Sequence, residues 1–316
     1  MSILSIYSGA NEIIIYLQFK NKITIPLKLL KLASENDYIE KITPKKHLLD
    51  LNLKEIWNYK DLLFLFVRRD FVAVYKQTIL GPLWFFIQPI FTTLIFTVVF
   101  GRLASIPTDG LPPVLFYMIG ITCWNYFAEC LIKTSNTFIL NSNIFGKVYF
   151  PRLVLPISIV ISSILKFGIQ FVLFISFLIY YYIQGADIQP NIFILLLPFL
   201  LLLMAGLGLG FGIFISSLTT KYRDFQFLIA FGVQLFMYAT PIVYPLSLAK
   251  EKLGSYSWIA VANPMTSIIE AMKYAFLGHG ELNWYYLAYS TLFMMVLLFI
   301  GVVTFNKVEQ TFMDTV

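Results

Sequence analysis

The chain has 316 residues, of which 59% are hydrophobic and 13% charged, with a net charge of +6 and a mean hydropathy of +0.77. A soluble domain is about half apolar and about a quarter charged, so this composition argues against a soluble enzyme, a nucleic-acid-binding domain or a disordered chain. It fits a polytopic membrane protein, in which positive charge collects in cytoplasmic loops instead of marking a nucleic-acid partner.

Residues 1–51 mix charged and apolar residues without clear period. Their first apolar run, Ile13 to Leu17, is short and follows Glu12, unlike a cleavable signal peptide. They read as an N-terminal cytoplasmic extension or as sequence upstream of the true start. Residues 52–78 are organised. Asn52 and Glu55 have capping-box spacing. At about 100° per residue, Lys54, Asn58, Asp61, Arg68, Arg69 and Lys76 share one arc, away from Ile56, Leu63, Phe66 and Val67. This predicts an amphipathic helix in the cytoplasmic membrane interface, whose basic stripe either anchors the topology or touches a cytoplasmic partner.

A membrane-crossing helix needs about 20 mostly apolar residues. Residues 77–101, 188–220, 225–249 and 282–306 carry no charge; 112–138 holds Glu129 and Lys133, and 153–183 holds Lys166. The expected fold is therefore an all-α integral membrane protein. Its six spans lie near 80–101, 112–138, 153–183, 191–216, 225–246 and 283–306, within a transmembrane domain of residues 79–316. Pro107, Pro112, Pro113, Gly185, Pro190, Pro241 and Pro245 punctuate the connections. Glu129 and Lys133 are four apart and can pair on one helix face. An unpaired Lys166 would be costly at that depth, so it should meet Glu129 or a lipid-linked diphosphate near the inner leaflet.

Cys123 and Cys130 lie about two turns, roughly 10 Å, apart on one helix, too far to bridge each other. Gly206, Gly208 and Gly210 fall inside an apolar run and read as a close helix-packing surface. The 247–282 stretch is too polar to span simply. Ile268, Ile269, Met272 and Phe276 nevertheless recur at helical spacing between Pro264 and Gly278, predicting a re-entrant or outer-surface helix pair before the last span.

Six spans place both termini on one side. That side carries Lys54, Lys60, Arg68, Arg69, Lys76, Lys147, Arg152, Lys221, Arg223 and Lys307, ten in all, against Arg102, Lys250, Lys252 and Lys273 opposite. By the positive-inside rule the ten-residue side is cytoplasmic, and the chain reads as a multi-pass membrane protein. An embedded transferase would want a base or a metal site near the membrane surface. His47 and His279 are unrelated in position, and no paired carboxylates, Cys/His metal spacing or phosphate-binding GxxxxGK[ST] loop occurs. The expectation is a membrane protein with no catalytic residue, metal or cofactor of its own.

Four motifs carry a family resemblance. The first runs through Trp57, Tyr59, Arg69-Asp70, Tyr75-Lys76-Gln77-Thr78, Leu80-Gly81, Leu83-Trp84 and Pro89. The second is Asn141, Lys147, Phe150-Pro151-Arg152 and Leu155-Pro156. The third is Tyr222-Arg223-Asp224, and the fourth Thr240-Pro241-Ile242 with Asn263-Pro264. Over residues 53–306 their order and spacing resemble the ABC-2 type permeases that export polysaccharides, the Wzm-type O-antigen, capsule and teichoic-acid exporters.

The resemblance implies export of a lipid-linked glycan, driven by two copies of a separate ATP-binding subunit that holds the ATP and Mg. It implies that the loop with Lys147, Phe150, Pro151 and Arg152 docks on that subunit, and that the helices before the last span are periplasmic gates. Phe, Tyr and Trp make up 17% of the chain. Trp84, Gln88, Phe91 and Phe96 on the first span, with Phe231, Tyr238 and Tyr244 on or near the fifth, are candidates for an aromatic-lined glycan path, because sugars stack their CH faces on rings. Six spans are few to enclose a polymer, so a homodimer is expected. The alternative within the same family is an exporter of drugs or small lipids.

Overall fold

In a computed structural model the described residues are 4–9, 12–17, 53–76, 81–145, 150–220, 222 and 224–315. They fall into two units, Met1–Lys46 and His47–Val316. The first holds an antiparallel hairpin of β1 (Leu4–Gly9) and β2 (Glu12–Leu17), with Leu4 opposite Leu17 and Gly9 opposite Glu12. These residues carried no secondary-structure expectation. The β-branched run Ile13-Ile14-Ile15 loses rotamer freedom in a helix and fits a pleated strand. Asn52 of the expected capping box lies outside the described residues.

The second unit is helical throughout its described elements. α1 (Leu53–Asn58) and α2 (Lys60–Lys76) form the interface segment, α3 (Trp84–Phe96) continues as a π-helical stretch to Leu103, and α4 is Pro113–Ser135. The short α5 (Thr137–Leu140) and α6 (Ser142–Phe145) lead to α7 (Val154–Ile183). A 3-10 turn, Ile192–Leu196, precedes α8 (Leu197–Thr219), which is followed by α9 (Phe225–Tyr238), α10 (Leu246–Leu253), α11 (Trp258–Ala262), α12 (Pro264–Leu277) and α13 (Trp284–Thr315).

Five helices are long and apolar enough to cross a membrane: Trp84–Leu103, Pro113–Ser135, Val154–Ile183, Ile192–Thr219 and Trp284–Val308. The expected fifth span, 225–246, is shorter than read. α9 has 14 residues and a length of about 21 Å, less than the roughly 30 Å hydrocarbon core. It ends because Pro241 lacks an N–H, and the chain turns inward instead: Ile242 N donates to Thr240 O at 2.7 Å, and Ile242 and Val243 are buried. Charge-free sequence ran on past the turn, so hydropathy alone overestimated the helix.

α4 is the central helix, buried along most of its length and packed on α7, α8 and α3. Its approach to α8 depends on glycine. A Cβ at Gly208 would sit 2.6 Å from Cys130 Cβ, and one at Gly212 2.5 Å from Thr134 Cβ. On the opposite side of α8, a Cβ at Gly206 would meet Met294 Sδ of α13 at 2.3 Å. Glycines one turn apart thus open both faces of α8, and the helix is clamped between α4 and α13. Cys123 and Cys130 are both free and buried on α4. Gly212→Val should lower stability by about 1–3 kcal/mol through overpacking. A thermal melt of the detergent-purified protein reads this, with Gly168→Ala, where no atom lies within 4 Å, as the control expected to melt like wild type.

The 247–282 region divides: α10 and α11 are largely exposed, and α12 is inside the protein. Every residue of α12 except Tyr274 is buried, and the helix packs on α4, α8 and α13. Its caps are the ones its sequence signals: Asn263 Oδ1 accepts from Met265 N at 3.0 Å, Pro264 starts the helix, and Gly278 ends it with φ 77°. The last carbonyls are taken by the loop before α8, with Gln189 N donating to Leu277 O and Asn191 N to Ala275 O.

Candidate functional site

Among the long apolar helices the span from α3 to Leu103 is the least covered by the rest of the chain, and the shorter α9 is covered still less. α3 buries Pro89, Thr93 and Phe96; α9 buries only Val233. Trp84, Gln88 and Phe91 on α3, and Phe231 and Tyr238 on α9, are all exposed. Gln234 on α9 is exposed as well, a second amide beside Gln88 that was not among the sequence candidates. Polar amides and a phenol on otherwise bare apolar helices are poorly matched to lipid and suited to a hydrated path. Two path candidates lie elsewhere. Phe96 is 7% exposed and packs edge-on to Phe100 and Tyr117, so it belongs to the core. Tyr244 is half-buried in the turn after α9.

A second cluster joins the interface helix to the loop before α7. Ile56, Leu63 and Phe66 of α1 and α2 are buried with Phe138, Phe145, Phe150, Val154 and Phe305. Phe150 lies 5.8 Å from Phe66 and stacks on Phe145 at 5.7 Å. The guanidinium of Arg69 sits 4.9 Å over Phe66 and that of Arg152 5.4 Å over Phe145. The result is a column, Arg69–Phe66–Phe150–Phe145–Arg152, with a cation at each end. Asp70 pairs with Arg69 at 2.8 Å, and Arg68 is exposed. Pro151 is buried and its carbonyl accepts from Val154 N at 3.0 Å, starting α7. Arg152 is therefore in contact with the ring column that ties α2 to the segment before α7. Lys147 and the side chains of Tyr75 and Lys76 lie outside what is described.

The charges within the spans meet. Glu129 accepts from Lys133 at 2.6 Å and from Lys166 at 2.9 Å, bridging α4 to α7.

The structure adds one pair the sequence reading placed wrongly. Lys273, counted there among outer-loop charges, is 2% exposed within α12. Its Nζ reaches Glu270 Oε1 at 3.1 Å and Pro241 O at 2.7 Å, and sits 3.8 Å from the Phe116 ring centroid. The signal was available: Glu270 and Lys273 are three apart inside a run of Ile268, Ile269, Met272 and Phe276, where a loop would not put them. With Lys273 removed from the count, the charge asymmetry of the loops stands at ten against three. At the exposed end of this region Lys250 pairs with Glu281, and Ser247 donates to Asp109 at 2.9 Å.

Comparison with known proteins places these features in a wider set. Residues 61–277 match the family model described as ABC-2 type transporter. Two proteins of Klebsiella pneumoniae named O-antigen export system permease protein RfbA are each 28% identical over 255 residues, covering 80% of this chain and 94% of theirs. A protein of the same name from Myxococcus xanthus is 25% identical over 228 residues, covering 72% of this chain and 84% of its own length.

Proposed function

Because the chain belongs to the ABC-2 type transporter family, we propose that it is the membrane subunit of an exporter of lipid-linked polysaccharide, driven by ATP hydrolysis on a separate subunit. The observation that carries this is the likeness to relatives named for O-antigen export, which extends over 80% of this chain and almost the whole of theirs. The site is consistent with it. A glycan sliding through needs many weak, equivalent contacts, and the rings and amides on α3 and α9 offer them. Two copies related by a two-fold axis, with α3 and α9 facing across it, enclose the path and cover the two helices that one copy leaves bare. Each copy receives one ATP-binding subunit, which supplies ATP and Mg and docks on the loop carrying Lys147, Phe150, Pro151 and Arg152. With α9 and the buried turn after it together making the sixth crossing, both termini and that loop are cytoplasmic in a bacterial inner membrane.

The experiment is complementation. Loss of this protein should leave lipid-linked glycan inside the cell and strip the polysaccharide from the surface. The wild-type chain should restore it. Arg152→Glu should not, at equal membrane abundance, because a reversed charge faces the docking surface. Unchanged surface polysaccharide in the deletion strain would refute the export role; full rescue by Arg152→Glu would refute the docking role alone.

A further inference from the structure

The charges shared by α4 and α7 do not balance. Among the described residues, Glu129 is the only carboxylate paired with Lys133 or Lys166. Two ammonium groups therefore share one carboxylate, and one positive charge is left over. Neither lysine is sealed away: the side chains are 49% and 23% exposed, while Glu129 is 14% exposed. The cluster lies where α3 meets α4 and α7, and Phe85 of α3 stands 5.7 Å from Lys166 Nζ.

The polar seam also continues one turn further. Asn125 donates to Gln170 Oε1 at 3.3 Å, and Gln170, although buried, keeps an Nε2 donor with no acceptor among the described residues. Helix association alone does not require this. A single Glu–Lys pair would neutralise the seam, and a second ammonium at an apolar surface is unfavourable unless something anionic comes to it. Lys133 lies two residues from the end of α4, on the side where the span gives way to the 136–150 loop, so its ammonium is within reach of a headgroup layer.

We propose that Lys133 and Lys166 form a phosphate-binding subsite for an anionic lipid, opening sideways from the α3–α4–α7 junction. A lipid phosphate with no cation of its own brings at least one net negative charge and cancels the surplus. Glu129 holds both ammonium groups in place and prevents a stronger, irreversible grip. The inference goes beyond the export reading, because it applies to the phosphate of any net-anionic lipid, whether the headgroup of a bulk lipid or the phosphate of a polyprenyl carrier.

The test uses the full chain, purified in neutral detergent, with bound lipid counted by native mass spectrometry. The probes are phosphatidylglycerol, undecaprenyl monophosphate and phosphatidylcholine. Wild type should retain the two anionic lipids over phosphatidylcholine. Lys133→Gln and Lys166→Gln should each weaken that binding at least about tenfold, since each removes a charged donor. Glu129→Gln should bind at least as tightly as wild type, which a merely structural triad does not predict. The anionic lipid held more tightly identifies the source of the phosphate. Should Lys166→Gln fail to fold, Lys133→Gln decides alone, because its side chain is half exposed and its loss leaves Glu129 paired. Equal retention of phosphatidylcholine, or unchanged binding in the lysine variants, would overturn the proposal. An export assay that fails leaves it standing, because the probes contain no glycan.

Discussion

Lys273→Ala should remove most of the folded protein from the membrane. The ammonium of Lys273 ties three parts of the chain: Glu270 on its own helix, the Pro241 carbonyl in the turn after α9, and the face of Phe116 on α4. Truncation leaves the Glu270 carboxylate buried without its cation and the Pro241 carbonyl without its donor. Breaking a buried pair from one side costs about 3–5 kcal/mol. Against a total stability of about 5–15 kcal/mol, that is a large fraction. The measurement is monodisperse yield and melting temperature of the purified protein. The cause is separable from mere loss of volume. Glu270→Gln with Lys273→Met removes both charges together and should recover most of the loss, short of about 1 kcal/mol for the unmet carbonyl. Wild-type yield and melting for Lys273→Ala would show that the ion pair does not hold α12 in place.

This residue also shows where a sequence is legible and where it is not. The long spans could be read because crossing a membrane needs a continuous apolar run, and such runs are visible without any knowledge of neighbours. The glycines of α8 could be read as a packing surface for the same local reason, although not that they serve two helices at once, Gly208 and Gly212 against α4 and Gly206 against α13. The ends of α12 were written in Asn263, Pro264 and Gly278. What could not be read was depth. The spacing of Glu270 and Lys273 puts them on a helix, but not how deep that helix lies; the structure shows that they neutralise each other inside a buried one. Phe96 and Phe91 are equally aromatic in sequence, yet one is packed against Tyr117 and the other is exposed. The two differ by their neighbours in space, which come from α4. The length of α9 was misjudged because Ile242 and Val243 are as apolar as a continuing span would be; they are buried in protein instead of in lipid.

Replacing Trp84 and Tyr238 together by alanine should cripple export of long glycan while leaving assembly with the ATP-binding subunit intact. Both rings are exposed on helices that the chain itself barely covers, so their loss creates no cavity and should leave the melting temperature near that of wild type. An aromatic contact is worth about 0.5–1.5 kcal/mol beyond the area it buries. A two-fold pair would lose four such rings along the path, and each 1.4 kcal/mol is about a tenfold factor, so a slowing of tenfold or more is expected. Phe211→Ala is the counterpart. Phe211 packs against Phe127 and Phe293, so that variant should melt lower and, where it survives, export normally. Crosslinking tests the geometry directly. In a background with Cys123 and Cys130 replaced, single cysteines along the exposed faces of α3 and α9 should join two copies of the chain. Cysteines on α8 should not, because α4 and α13 enclose it on both sides through the glycine contacts. Crosslinks confined to α7 and α8, together with normal export by the Trp84/Tyr238 double variant, would move the path away from α3 and α9. The bare faces of those two helices would then be lipid-facing surface, and their exposed Gln88 and Gln234 would need another explanation.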